Sequence, residues 1–179
     1  MALHNTSSSY GSIAKIFHWG MVAIFIGLFI GAYIMMDMPS SDSKFFIYAM
    51  HKSFGVLVLI LAAMRLIWKL FSIAPHPATG TPNWQVFLAK LAHFGLYILM
   101  FAMPMSGYVM STAGGHPVKL FGLDLPALIA HNPEIAKLAR NGHTWISYAI
   151  LALVSIHIIG ALYHHWIQKD KTLERMLRS

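Results

Sequence analysis

The chain has 179 residues, 57% hydrophobic and only 11% charged, with a formal net charge of +7 and no cysteine. Soluble domains carry roughly 25% charged residues, so the composition excludes an ordinary soluble fold and predicts a single integral-membrane domain, 1–179. The bases stand at the ends of apolar runs, which fits contacts with membrane lipid and excludes nucleic acid as a partner. The lack of cysteine excludes disulfides, thiolate-held clusters and thioether-attached cofactors.

In chain order, residues 1–12 are polar and carry no basic charge, and the apolar run 13–36 is too long for the core of a signal peptide. It reads as an uncleaved first span, with His18 near its start. Asp37, Met38, Pro39 and a serine-rich stretch end it. The second span, 46–70, holds His51, Lys52 and Arg65. Pro75, Pro77, Gly80 and Pro82 then forbid helix. The third span, 88–111 or from Trp84, carries His93 and an internal Pro104, which predicts a kink. The longest connection, 112–142, is apolar over 118–128 but too short there to span. Asn132-Pro133-Glu134 reads as an N-cap, a first-turn proline and an acidic first turn, so the helix begun there runs into the fourth span, 143–167. The tail 168–179 is basic and partly apolar and is predicted at the membrane surface.

Orientation follows from lysine and arginine. With the N-terminus inside, inner ends hold Lys15, Arg65, Lys69, Lys90, Lys169, Lys171, Arg175 and Arg178, and outer ends hold Lys44, Lys52, Lys119, Lys137 and Arg140. The bias predicts cytoplasmic N- and C-termini and an outward-facing long loop.

Histidine inside a bilayer is costly and usually functional. His143 and His157 are fourteen residues apart, so they share a helix face about 21 Å apart in rise. Along the alternating spans, His18 falls at the inner depth of His157 and His51 at the outer depth of His143. Depth therefore pairs His18 with His157 and His51 with His143. Low-spin b-type haem takes two neutral nitrogen ligands on opposite faces of its iron. Two such centres across roughly 30 Å of hydrocarbon make an electron path from face to face. The expected fold class is thus an all-α integral-membrane four-helix bundle binding two non-covalent haems b within the bundle.

Arg65 follows His51 by fourteen residues and shares its helix face at inner depth. Arg65 for the inner haem and Lys52 for the outer one are candidate propionate partners; snorkelling to headgroups is the alternative. His164 and His165 compete with His157 but lie one turn from Gln168, at the interface. His93 has no fourth-pair partner and reads as an interfacial hydrogen-bonding residue, or a contact to a propionate or quinone carbonyl. Gly55, Gly95, Gly107 and Gly160 mark close approach of porphyrin or another helix. The methionines read as core filling.

With these residues in place, the chain resembles the prokaryotic cytochrome b561 family. The matching segments are Phe17-His18-Trp19, His51-Lys52-Ser53-Phe54-Gly55 with Met64-Arg65-Leu66, Ala92-His93-Phe94-Gly95-Leu96-Tyr97, Pro104-Met105-Ser106-Gly107, and Ala161-Leu162-Tyr163-His164-His165-Trp166 with Lys169-Asp170 and Arg175-Met176-Leu177. The resemblance covers about residues 10–177. It implies haem ligation by His18, His51, His143 and His157, and a bacterial inner-membrane location.

One branch of that family oxidises superoxide at the outer face and passes the electron to ubiquinone. Its most concrete implication is therefore a superoxide:quinone oxidoreductase. The outer bases Lys52, Lys119, Lys137 and Arg140 would attract the anion. The alternative is a non-enzymatic electron carrier or anchor subunit joining the quinone pool to a partner redox protein. A third class, a transporter or divalent-metal protein using the same histidines, lacks intramembrane carboxylates.

Overall fold

The computed structural model describes residues 2–178. Four long helices dominate: α1 (Ser12–Asp37), α2 (Asp42–Phe71), α3 (Asn83–Ala113) and α4 (Pro133–Tyr163). Each is long and apolar enough to cross a membrane, α4 together with the π turn His164–Gln168 that continues it. The fold is an all-α, four-helix membrane bundle. Large apolar side chains such as Ile16, Ile30 and Ile159 stand outward on these helices, where lipid rather than water is the solvent.

The helix ends follow local chemistry. Asn132 caps α4, its Oδ1 accepting from the Glu134 and Ile135 amides at 3.1 Å each. The irregular connection therefore ends at Asn132, and α4 follows from Pro133. Asp42 opens α2 four residues before the apolar run begins at Phe46, favoured by its charge on the first turn. Pro104 sits inside α3 and removes one rung of that helix's ladder.

The chain divides into two compact units, and each long helix gives one segment to each. The first comprises Met1–Trp19, Ala63–Leu99 and Tyr148–Ser179. It contains His18, Arg65, His93 and His157. Its polar ends are stapled to one another. Asn5 Nδ2 donates to the Ile73 carbonyl (3.0 Å), the His76 amide to the Ser7 carbonyl (2.9 Å) and Arg175 Nη1 to the His76 carbonyl (2.7 Å). The basic tail is held here too: Trp19 Nε1 donates to the Met176 carbonyl at 3.0 Å, and Lys15 Nζ donates to that of Arg178. A short helix, α5 (Glu174–Leu177), ends the tail. Its contacts are thus to protein backbone, beyond the surface role expected from its composition.

The second unit comprises Gly20–Ala62 and Met100–Ser147. It contains His51 and His143 and the connection from α3 to α4. That connection carries a small antiparallel hairpin, β1 (Lys119–Leu120) with β2 (Leu123–Asp124), register Lys119 to Asp124 and Leu120 to Leu123. Phe121 and Gly122 form its two-residue turn, both with positive φ, 49° and 99°. A turn with two positive φ values matches the right-handed strand twist. Glycine adopts it freely; Phe121 does so under strain.

Candidate haem-binding site

His18 and His157, from α1 and α4, meet in the first unit with ring centroids 6.3 Å apart and planes at 63°. His51 and His143, from α2 and α4, meet in the second with centroids 6.5 Å apart and planes at 70°. An iron between two imidazoles sets a definite spacing. Metal–nitrogen bonds of about 2.0 Å, plus about 1.1 Å from each nitrogen to its ring centre, give roughly 6.2 Å. Both pairs have that separation. The angle between ring planes is free, because each plane need only contain the metal–nitrogen axis.

The second pair has its tautomer set on one side. His143 Nδ1 lies 3.1 Å from the Met103 carbonyl and 3.0 Å from Ser106 Oγ, whose own proton goes to the same carbonyl at 2.8 Å. A carbonyl only accepts, so Nδ1 carries the hydrogen and Nε2 keeps its lone pair for a metal. Pro104 follows Met103 directly, and Gly107 completes the support: a Cβ there would stand 3.1 Å from His143 Cε1. Among the described residues, the buried His51 Nδ1 has no hydrogen-bond partner. His51 borders an apolar cavity of about 390 Å³ lined by Ala23, Gly27, Gly31, Met50 and Phe54 among others. A Cβ at Gly27 would meet nothing within 4 Å, and one at Gly31 only Ile47 Cγ2 at 3.9 Å. The glycines leave this apolar cavity open beside His51.

The first pair is differently poised. Arg65 Nη2 lies 3.2 Å from His18 Nδ1. A guanidinium only donates, so it takes the Nδ1 lone pair and leaves the hydrogen on Nε2. Binding iron through Nε2 requires the opposite tautomer, so Arg65 has to release the ring. Its guanidinium also lies 5.8 Å from the Tyr97 ring centre, and Lys69 Nζ stands 4.3 Å from the same ring. Two cations at one aromatic ring make a local positive site suited to carboxylates. The donor sets fit haem: each centre offers two imidazoles, with open glycines beside His51 and a cation beside His18.

Other histidines separate clearly. His93 packs on His157 with centroids 5.3 Å apart, too close for an iron between them. It was not recognisable from sequence as part of this cluster, since no partner stands at its spacing. His164 Nδ1 pairs with Asp170 Oδ2 at 2.6 Å, both largely buried, so it closes the end of α4. His165 lies against Trp166. Among the described residues no group of three or more His, Cys, Asp or Glu is placed to hold a bare ion.

The glycines also divide. A Cβ at Gly55 or Gly160 would meet nothing within 4 Å; one at Gly95 would stand 2.9 Å from Leu153 Cδ2. Gly95 is a helix–helix contact and Gly107 an imidazole seat. Lys52 Nζ donates to the Pro117 carbonyl at 2.8 Å and to Ser111 Oγ at 3.3 Å. It therefore grips the α3–α4 connection, with one ammonium hydrogen left for another acceptor.

The sequence profile described as prokaryotic cytochrome b561 matches residues 9–179. Cytochrome b561 homolog 2 of Escherichia coli (strain K12) is 35% identical over 179 residues, 99% of this chain and 95% of the relative. Cytochrome b561 homolog 1 of the same organism is 31% identical over 166 residues, 89% and 92% of the two chains. A probable superoxide oxidase CybB of Yersinia pestis is 29% identical over 127 residues, 71% and 72% of the two chains. The four spans, the histidine pairs and these matches agree: the chain belongs to the prokaryotic cytochrome b561 family, and is a bacterial membrane electron-transfer protein of a kind that implies b-type haem.

Proposed function

We propose that His18 with His157, and His51 with His143, each clasp one haem b, and that the chain carries electrons across the bacterial inner membrane with both termini cytoplasmic. The ring separations of 6.3 and 6.5 Å carry this reading. When bound, such haems supply one-electron transfer with little rearrangement. Arg65 turns from His18 to a propionate of the inner group, and Lys52 offers its remaining hydrogen to one of the outer group. Gly27, Gly31, Gly55 and Gly160 keep the ring faces clear.

The concrete reaction is oxidation of superoxide at the outer face with reduction of ubiquinone. Two superoxide anions give up one electron each and leave as dioxygen; one quinone takes both electrons and two protons to become the quinol. The outer bases Lys52, Lys119, Lys137 and Arg140 support it by attracting a small anion. The likeness to the probable superoxide oxidase of Yersinia pestis supports it as well. Superoxide generated beside the purified, quinone-loaded protein should reduce its haem and then form quinol. Neutralising Lys137 or Arg140 should slow that reduction, and added salt should slow the wild type. A protein that carries haem but is not reduced by superoxide is instead an electron carrier for a partner redox protein.

A further inference from the structure

The three residues after His51 all contact the stretch 117–121 of the α3–α4 connection. Lys52 Nζ donates to the Pro117 carbonyl and Ser111 Oγ. Ser53 Oγ donates to the Lys119 carbonyl at 2.9 Å and accepts the Phe121 amide at 3.1 Å. Phe54 meets the Phe121 ring edge-on at 5.2 Å between centroids. Ser53 is 2% exposed, and a buried hydroxyl serving two backbone groups is costly to remove.

Phe121 explains why the grip is so dense. It holds φ at 49° in the hairpin turn, a strained conformation for a bulky residue that persists only where its surroundings fix it. Here its amide is fixed by Ser53 and its ring by Phe54. An asparagine or glycine would make the same turn without strain, but would leave Phe54 without its partner. The turn is therefore built to attach the hairpin to this one stretch of α2.

We propose that Lys52, Ser53 and Phe54 are positioning residues, clasping the hairpin so as to fix the rotation of α2 that aims His51 at His143. This rests on His51 being a haem ligand. The two ring planes stand at 70° in this structure, and a turn of α2 would carry the His51 ring with it. In low-spin ferric bis-imidazole haem that angle sets the low-field electron paramagnetic resonance signal: planes far from parallel give a strongly anisotropic one.

The test uses the purified holoprotein with Ser53→Ala, and Phe121→Asn as a milder surface variant that keeps the turn. Two readouts are taken: limited proteolysis within residues 114–131, and the low-field signal that His51→Ala abolishes. Cleavage should rise about tenfold in Ser53→Ala, the equivalent of one or two lost hydrogen bonds, and that signal alone should shift or broaden in both variants. Faster cleavage with both haem signals unmoved would overturn the positioning role, and unchanged cleavage would overturn the clasp itself. A wild type without haem, seen before any variant is compared, would instead sink the ligand reading.

Discussion

The two histidine units achieve similar ring spacings by opposite means. The His51 unit is packed: it holds the buried apolar side chains Met21, Met35, Val58, Ala62, Met100, Ala113 and Val118, with buried Ser53, Ser111 and Thr112. In the His18 unit the buried apolar side chain among the described residues is Ile150; polar staples among its terminal segments and loop hold it. The chemistry at the rings differs in the same sense. His143 is fixed in the tautomer that leaves Nε2 for a metal, whereas His18 spends its Nδ1 lone pair on Arg65. A histidine pair can thus be preset by a packed surround or engaged by a neighbouring cation, and ring spacing alone does not tell which.

That contrast makes the order of haem loading the most sensitive probe. Haem titrated into apoprotein should fill the His51/His143 site first, followed by absorbance changes in His143→Ala and His157→Ala backgrounds. Arg65→Gln should lose the propionate partner and weaken retention of the His18/His157 haem by about tenfold, the worth of a charge-assisted hydrogen bond, without touching the other. Equal loss from both sites would end the distinction between the units.

A smaller effect is expected at Gly107. A Cβ there would stand 3.1 Å from the His143 ring, closer than most contacts, and overpacking of this kind typically costs about 1–3 kcal/mol. Gly107→Ala should therefore shift the midpoint potential of the His51/His143 haem and leave the other in place. A potentiometric titration with both haems at wild-type potentials would show that the seat is not tight.

The smallest effect concerns the staples of the first unit. Burial pushes the Asp170 carboxyl up, but hydrogen bonds from Thr172 and His164 outweigh it and hold the group below its ordinary 3.8. A depressed carboxylate contributes stability that is present above its ordinary value and lost as pH falls through the depressed one. Closure of the tail should thus hold from neutrality down to about pH 4 and weaken below it, read as pepsin cleavage after residue 168. Asp170→Asn should cleave faster at pH 4–5, with less further gain on acidification.

The spans, the α4 cap and the depth pairing were legible because they rest on periodicity, capping chemistry and rise per residue. The apolar windows that begin at Phe46 and at Trp84 or Leu88 lie inside helices that open earlier, at Asp42 and Asn83, with polar first turns that no apolar window detects. Tyr97 lies four residues after His93 and Lys69 four after Arg65, so the cationic aromatic face had a helical signature that could have been read. The Arg65–His18 contact, the Ser106–Met103 seat and the Ser53 clasp had none. Each joins residues 37 to 68 positions apart through side chains whose types recur throughout the chain. Pro104 suggested a kink in α3, but not that the carbonyl beside it would orient a histidine.

Haem counting in the wild type and four single variants tests whether two histidine pairs hold two haems. Pyridine haemochrome and protein assays on the same wild-type sample should give a ratio near two. His51→Ala and His143→Ala should each lose one haem of the same midpoint potential, and His18→Ala and His157→Ala the other. A wild-type ratio near one in fully loaded protein, or a His157→Ala variant that keeps both haems while His93→Ala loses one, would contradict it.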